Sequence, residues 1–424
     1  MPSSSLNRWR DPLICLVFAG LLLGAPWVFS SSLSLTLLSQ IGYLIIVCLS
    51  YNILLGQGGM LSFGQAVYTG LGSFMAVHAM NSAAQGGWPI PLVAIPLVGG
   101  LAGLGFAVLF GYVSTKKSGN TFAMITLGIG ELVASMALML PEFFGGEGGV
   151  STDRVYGQPW LGFNFGPQIQ VYYLIAAYCF VCTVLMYAFT RTPLGRLLNA
   201  VRDNAQRVEF IGYNAQRIRY LAFIIAGFFA GVGGGLAAIN FEIVTAMDSI
   251  SSVRSGGYLL FTFLGGAGAF FGPIIGAILL VFSSVLLSGL TKAWLLYLGL
   301  VFMLMVMYAP GGIAYLLQIN WRVMQKGRWW PLLPHYLFLA LGSAIALLGF
   351  SALVEMIYHI QLDAALGPDL SFMGSILVVD QPATWTGAVL ILLTGLALLV
   401  LGKRAFSKRW NLIQEQIQAT GDPA

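Results

Sequence analysis

Residues Arg191–Arg219 read RTPLGRLLNAVRDNAQRVEFIGYNAQRIR, a basic polar stretch set between two apolar runs. Arg191, Arg196, Arg202, Arg207, Arg217 and Arg219 are offset only by Asp203 and Glu209. Leu194, Leu197, Leu198, Val201, Val208 and Ile211 recur at helical spacing, so the stretch is amphipathic as well as charged. Thr192 is placed to cap a helix, Pro193 to sit in its first turn, and Gly212 to stop it. The expected structure is two short amphipathic helices lying between two membrane spans. The alternative is a basic cytoplasmic loop that only sets topology. Setting topology requires charge, however, and not a helical apolar stripe.

Outward from this stretch the chain is apolar. Of its 424 residues 58% are hydrophobic and 8% charged, with a mean hydropathy of +0.84. A soluble domain of this length cannot cover its surface with so few charges. The expected fold is therefore all-α, a polytopic membrane helix bundle in a lipid bilayer. The net charge of +5 comes from residues scattered among loops, which signals topology and no nucleic-acid partner. Cys15, Cys48, Cys179 and Cys182 all fall in apolar runs. Cys179 and Cys182 have metal-like spacing, but no second pair or nearby histidine, so packing is the expected role and no metal site is assigned.

Apolar runs give about ten core spans. They are Leu13–Phe29, Leu33–Leu55, Ser62–Met80, Trp88–Val113, Thr121–Leu140, Ile169–Phe189, Tyr220–Ala238 and about three within Gly256–Ala309, broken at Gly265–Gly272 and near Lys292. Arg8 and Arg10 before the first run resemble a signal-peptide start, but the second run follows so closely that a retained span is expected. Residues 1–317 form this core, 318–331 a basic cytoplasmic linker with Arg322, Lys326 and Arg328, 332–402 an extra transmembrane hairpin, and 403–424 a basic cytoplasmic tail. The tail carries Trp410, Leu412, Ile413 and Ile417 at amphipathic-helix spacing. With both termini cytoplasmic, all of the 20 Lys and Arg except Arg154, Arg254 and Lys292 fall inside. Glu142, Glu147, Asp153, Glu242, Asp248, Glu355, Asp363, Asp369 and Asp380 collect outside.

Small residues four apart, Gly227–Gly231–Gly235 and Gly268–Gly272–Gly276, predict close helix packing. Tyr51–Gly72 is odder, because Gly56, Gly58 and Gly59 interrupt an apolar region that also carries Asn52, Gln57, Ser62 and Gln65. A broken helix at membrane depth must have its backbone satisfied by protein or by a watery path. A simple re-entrant turn is the plainer alternative. Gly265–Gly276 repeats the style, a hint of internal duplication. Glu131 is an acidic residue inside a predicted span, which makes it either a functional carboxylate or a protonated structural group. Asn52, Gln57, Ser62, Gln65 and Glu131 are the candidate translocation-path residues. No P-loop, zinc-protease or serine-hydrolase motif is present, so no catalytic residue is assigned.

Several stretches together resemble one family. They are YNILLGQGGMLSFGQA (Tyr51–Ala66), FAMITLGIGE (Phe122–Glu131), PLGRLLNAVRDN (Pro193–Asn204), FIGYN (Phe210–Asn214), LGGAGAFFGPIIGA (Leu264–Ala277) and MYAPGGI (Met307–Ile313). The chain is similar to the LivM-type permease subunit of bacterial branched-chain amino acid ABC importers over roughly residues 33–317. Permeases for urea, amides and aromatic acids share the pattern. The resemblance implies an inner-membrane transport subunit that is not itself an enzyme. It would work with a LivH-type permease, two ABC ATPase subunits and a periplasmic solute-binding protein. It would bind no cofactor, the ATP being used by the partner subunits. It also implies that Pro193–Gly212 is the ATPase-coupling loop, made by Pro193, Leu194, Gly195, Arg196, Leu197, Leu198, Val201, Arg202, Asn204 and Gly212. Leu194, Leu197, Leu198 and Val201 are expected to fill a groove on the ATPase, with Arg196 and Arg202 at its rim. The extra hairpin has no counterpart in the family pattern. An ion-coupled secondary transporter and a membrane-embedded enzyme remain the competing classes. The first would need a charged mid-membrane site, for which the spans offer Glu131. The second would need an acid, base or metal cluster, but His78, His335 and His359 lie far apart.

Overall fold

A computed structural model describes residues 6–88, 90–156, 164–325, 330–362, 367–372 and 375–419. Lys326, Arg328, Asp363 and the last residues of the tail lie outside the described residues, as do the side chains of Arg8, Arg10, Arg322, Ile413 and Ile417. The described chain is almost entirely helical and groups into two compact units. One comprises residues 1–283 and 302–315, the other residues 284–301 and 316–424.

In the first unit, α1 (Leu6–Val28) is followed by α2 (Ser32–Asn52), which Ser31 caps through the Ser34 N–H at 3.2 Å. α2 widens into a π-helical turn at Ile53–Gln57 and stops, and the chain resumes as α3 at Gln65–Ala84. The break expected from Gly56, Gly58 and Gly59 is therefore present. α4 (Ile95–Ser114), α5 (Asn120–Met139), α6 (Gln168–Arg191), α7 (Pro193–Phe210) and α8 (Ala215–Phe241) follow. α9 (Ser252–Gly265) and α10 (Gly272–Val281) are short.

α8 is the central post. Its small-residue face meets α4 backbone to backbone: a Cβ on Gly231 would lie 2.2 Å from the Gly99 carbonyl oxygen, and one on Gly103 2.3 Å from that of Gly227. Between helices in a bilayer, such close van der Waals contact takes the place of the hydrophobic effect. α9 and α10 fold back on each other at the Gly265–Gly272 break, where a Cβ on Gly276 would sit 2.1 Å from the Phe261 oxygen. At the end of α8 remote from α7, β1 (Val150–Ser151) pairs antiparallel with β2 (Ile243–Val244). Arg154 lies 3.7 Å from Glu242 beside that pair.

Seven helices among the described residues are long and apolar enough to cross a membrane, or eight if a bent pair, α11 (Trp294–Tyr308) and α12 (Gly312–Gln325), is one span. Five of the seven lie within residues 32–241, while α3, α9 and the shorter apolar helices Ile14–Val28 and Gly272–Leu287 fall short of this criterion of length and hydropathy. The reason is physical. α3 is buried among other helices and carries polar side chains that lower its hydropathy. α9 has 14 residues, which rise about 21 Å and fall short of a hydrocarbon core about 30 Å thick.

In the second unit α13 (Leu333–Leu362) and α14 (Pro382–Ala419) pack antiparallel, joined through a hairpin of β3 (Asp369–Phe372) and β4 (Ser375–Val378). Gly349 touches Leu392 and Gly395 touches Ala346. The tail is not a separate helix, because α14 continues through Leu401 as far as Ala419. Phe406 and Trp410 hold that extension on Leu332, Val323 and Tyr336.

Candidate functional site

α7 is built by local chemistry that the sequence spells out. The Thr192 hydroxyl accepts the Gly195 N–H at 3.2 Å, and Pro193 fills the first turn. The helix is broken at Asn204, whose backbone is extended at φ −159°, ψ 98°. The Asn204 Oδ1 accepts the Arg207 N–H at 3.0 Å, so this residue ends one short helix and caps the next. Gly212, at φ +95°, closes the second: its N–H reaches the Glu209 carbonyl at 2.9 Å, and the Tyr213 N–H reaches that of Val208 at 3.2 Å. Asn214 then caps α8 through the Arg217 N–H at 3.0 Å. The result is the expected pair of short amphipathic helices between two long ones.

Most of the apolar stripe faces inward, Ile211 at its end excepted. Leu198 is 0% exposed and Val201 and Val208 3% each, while Leu194 and Leu197 are half-buried. This corrects the expectation that Leu198 and Val201 fill a groove on a partner. The receptor for the stripe is the helix break after α2. Leu198 lies against Gly58, where a Cβ would come within 3.2 Å of its methyl group. The stem of Arg202 covers Gly59, and its guanidinium donates to the Gly56 carbonyl left free by the π-turn. The Asn199 amide donates to Gln57 Oε1 at 2.8 Å. Gly56 in turn touches the Ala267 carbonyl at the break between α9 and α10. α7 is therefore bolted to one helix break that rests directly on the other.

The surface of this segment is made by Ile211, the last residue of the stripe, and by Phe210 and Tyr213, which lie outside it. Phe210 is 91% exposed, Ile211 69% and Tyr213 50%. Arg196, Arg207 and Arg217 are exposed as well, and Arg202 pairs with Asp203 at 3.1 Å. The available signal was that Phe210 lies off the stripe and that Ile211, its last member, immediately precedes the stop at Gly212.

The candidate path residues separate. Asn52, Ser62 and Gln65 are buried at 1%, 0% and 0% exposure around the α2–α3 break, so they line no path open in this conformation. The Gln65 amide donates to Ser50 Oγ at 2.8 Å, and that hydroxyl donates to the Ala226 carbonyl at 3.1 Å, tying α3 and α2 to α8. Gln57 belongs to the α7 contact. Glu131 lies apart on the exposed face of α5, where its carboxylate accepts the hydroxyl of Ser252 at the start of α9. A carboxylate near a helix N-terminus is favourably placed against the helix dipole.

The comparisons accord with this architecture. The family model described as branched-chain amino acid transport system, permease component, matches residues 33–310. The high-affinity branched-chain amino acid transport system permease protein LivM of Escherichia coli is 28% identical over 316 residues, 69% of this chain and 73% of that protein. The fructose import permease protein FrcC of Rhizobium meliloti is 27% identical over 319 residues, 70% of this chain and 83% of that one. A probable LivM of Methanocaldococcus jannaschii is 23% identical over 335 residues, 66% of this chain and 94% of its own length. No solved structure matches significantly. With most of the core inside the matched region, this chain belongs to the branched-chain amino acid transport permease family, as a LivM-type multi-pass membrane subunit of an ABC importer.

Proposed function

We propose that this subunit moves branched-chain or closely related amino acids inward across the bacterial inner membrane, with both termini cytoplasmic. It pairs with a LivH-type permease. Two separate ABC ATPase subunits dock on α7, and a periplasmic binding protein delivers the solute. This chain binds no cofactor, and the partner ATPases use the ATP.

One observation carries the reading. α7 is a doubly capped, amphipathic element whose inner face is fastened to the α2 break while its end presents Phe210, Ile211 and Tyr213. A floating loop would dissipate a push from outside. A pair of capped short helices, fastened to a helix break through Leu198, Asn199 and Arg202 and buried again at Val208, passes it into the bundle. Lys116, Lys117 and the loop arginines lie at this end of the core, whereas Glu142, Glu147, Asp153 and Glu242 lie at the other. That separation supports a cytoplasmic α7.

The test is reconstitution of the four-protein importer in liposomes, with labelled leucine, isoleucine, valine, tyrosine, urea, acetamide and fructose offered through the binding protein. ATP-dependent uptake of leucine, isoleucine or valine is expected. Uptake of urea, acetamide or fructose alone would refute the amino acid assignment, and ATP-independent uptake would refute the ABC mechanism.

A further inference from the structure

At the end of α8 farthest from α7, a cavity of about 260 Å³ lies among α2, α3, α8 and α9. The 27 residues of α8 rise about 40 Å, so this cavity belongs to the membrane face opposite the docking helix. Its volume falls just below the range of about 300–1,000 Å³ typical of ligand sites, which suits a small solute.

Its distinctive residue is Arg254, the third residue of α9. The helix is capped by Ser251, whose hydroxyl accepts the Arg254 N–H at 3.3 Å. The side chain is largely buried. Its Nε donates to the Tyr258 hydroxyl at 3.1 Å, and the guanidinium lies 5.6 Å from the centre of that ring. Tyr43, 1% exposed, brings a second hydroxyl beside it. Among the described residues no carboxylate pairs with Arg254. A guanidinium removed from water is costly unless it is paired, and two tyrosine hydroxyls do not neutralise it. Its planar fork matches a carboxylate through two parallel hydrogen bonds. Asp248 lines the same cavity on its exposed side, and its carboxylate accepts the Thr245 hydroxyl at 2.9 Å. Ala237, Ala238 and Phe241 supply an apolar wall.

Cation, anion and apolar wall together match the parts of one molecule. We propose that this cavity is a receiving site for an α-amino acid, with the carboxylate on Arg254, the ammonium toward Asp248 and an aliphatic side chain against α8. This rests on the importer reading and adds to it a solute site within the membrane subunit itself. A neutral sugar or urea would leave the charge of Arg254 uncompensated.

The experiment uses the assembled importer in nanodiscs without its binding protein. Retention of labelled L-leucine is measured in competition with 4-methylpentanoate, which lacks the ammonium, and with L-leucinamide, which lacks the carboxylate. Leucine is expected to bind, with leucinamide competing about tenfold or more weakly than unlabelled leucine, because a hydrogen bond to a charged group is lost. Arg254→Gln should weaken leucine binding by a similar factor, and Arg254→Lys by less, while the ATPase subunits still co-purify. Equal competition by leucinamide would overturn the site without any variant. Unchanged binding by a folded Arg254→Gln importer would overturn it equally. ATP-driven uptake on the same preparation keeps the two readings separate. Uptake without binding overturns the site and keeps the importer, whereas binding without ATP-driven uptake keeps the site and overturns the importer.

Discussion

Replacing Phe210 with alanine should weaken ATPase docking while leaving the permease folded. The side chain is 91% exposed, so its removal takes almost nothing from the packing of this chain. Buried in a partner groove, the same ring would contribute about 1.5–3 kcal/mol from the apolar area it loses to water. About 1.4 kcal/mol is one decade of affinity, so docking should weaken roughly ten- to a hundredfold. Ile211→Ala should act in the same direction, and the pair need not be additive because the residues are neighbours. Leu198→Ala is the contrasting perturbation. Leu198 is fully buried against Gly58, and truncating a buried leucine costs about 2–5 kcal/mol of folding stability. It should lower the unfolding temperature of the permease, with docking impaired only as far as α7 loosens. The assay is titration of purified ATPase subunits onto nanodisc-held permease pairs, with thermal unfolding measured on the same samples. Full ATPase affinity in Phe210→Ala and Ile211→Ala, with Leu198→Ala folded and docking lost, would refute the assignment of inner and outer faces.

Three further outcomes are expected. Arg202→Ala should let the ATPases bind yet lower solute moved per ATP hydrolysed, because it removes the hydrogen bond to the Gly56 carbonyl; parallel measurement of uptake and phosphate release checks this. Glu131→Gln should leave most uptake intact in liposomes, since an amide oxygen still accepts the Ser252 hydroxyl; collapse of uptake with docking preserved would give the carboxylate a chemical role. A chain ending at residue 331 should insert and transport but unfold at lower temperature, because Thr291 loses its hydrogen bond to Glu355; normal membrane levels without uptake would place the hairpin in the transport pathway.

Much of this was legible in the residues themselves. Thr192, Pro193 and Gly212 announced where α7 begins and ends, and the glycines of Gly56–Gly59 announced the break after α2. Gly227, Gly231 and Gly235, four apart, announced that α8 packs closely on a neighbour, and the structure identifies that neighbour as α4. What the sequence did not convey was which protein the apolar stripe of α7 faces. Periodicity reveals that one side of a helix is apolar, and an interior and a docking groove want the same residues there. Leu198 and Val201 were therefore assigned outward when both are buried, Leu198 against Gly58. The burial of Asn52, Ser62 and Gln65 was hidden for a related reason, because a polar side chain in a membrane helix can serve a watery path or the backbone of a neighbour. Arg254 read as one stray charge outside the positive-inside pattern, and only the convergence of Tyr43, Tyr258 and Asp248 around it gave it meaning.

The central claim is that separate ATPases push on this chain through the end of α7, and cross-linking tests it most directly. Ile211→Cys is introduced into an otherwise cysteine-free importer and treated with a short bifunctional maleimide, with Ala200→Cys on the same helix for comparison. A cross-link from position 211 to an ATPase subunit, changing in yield between nucleotide-free and ATP-bound states, is the predicted result. The contradicting result is a position 211 that never cross-links to an ATPase subunit in any nucleotide state while the ATPases are present and active.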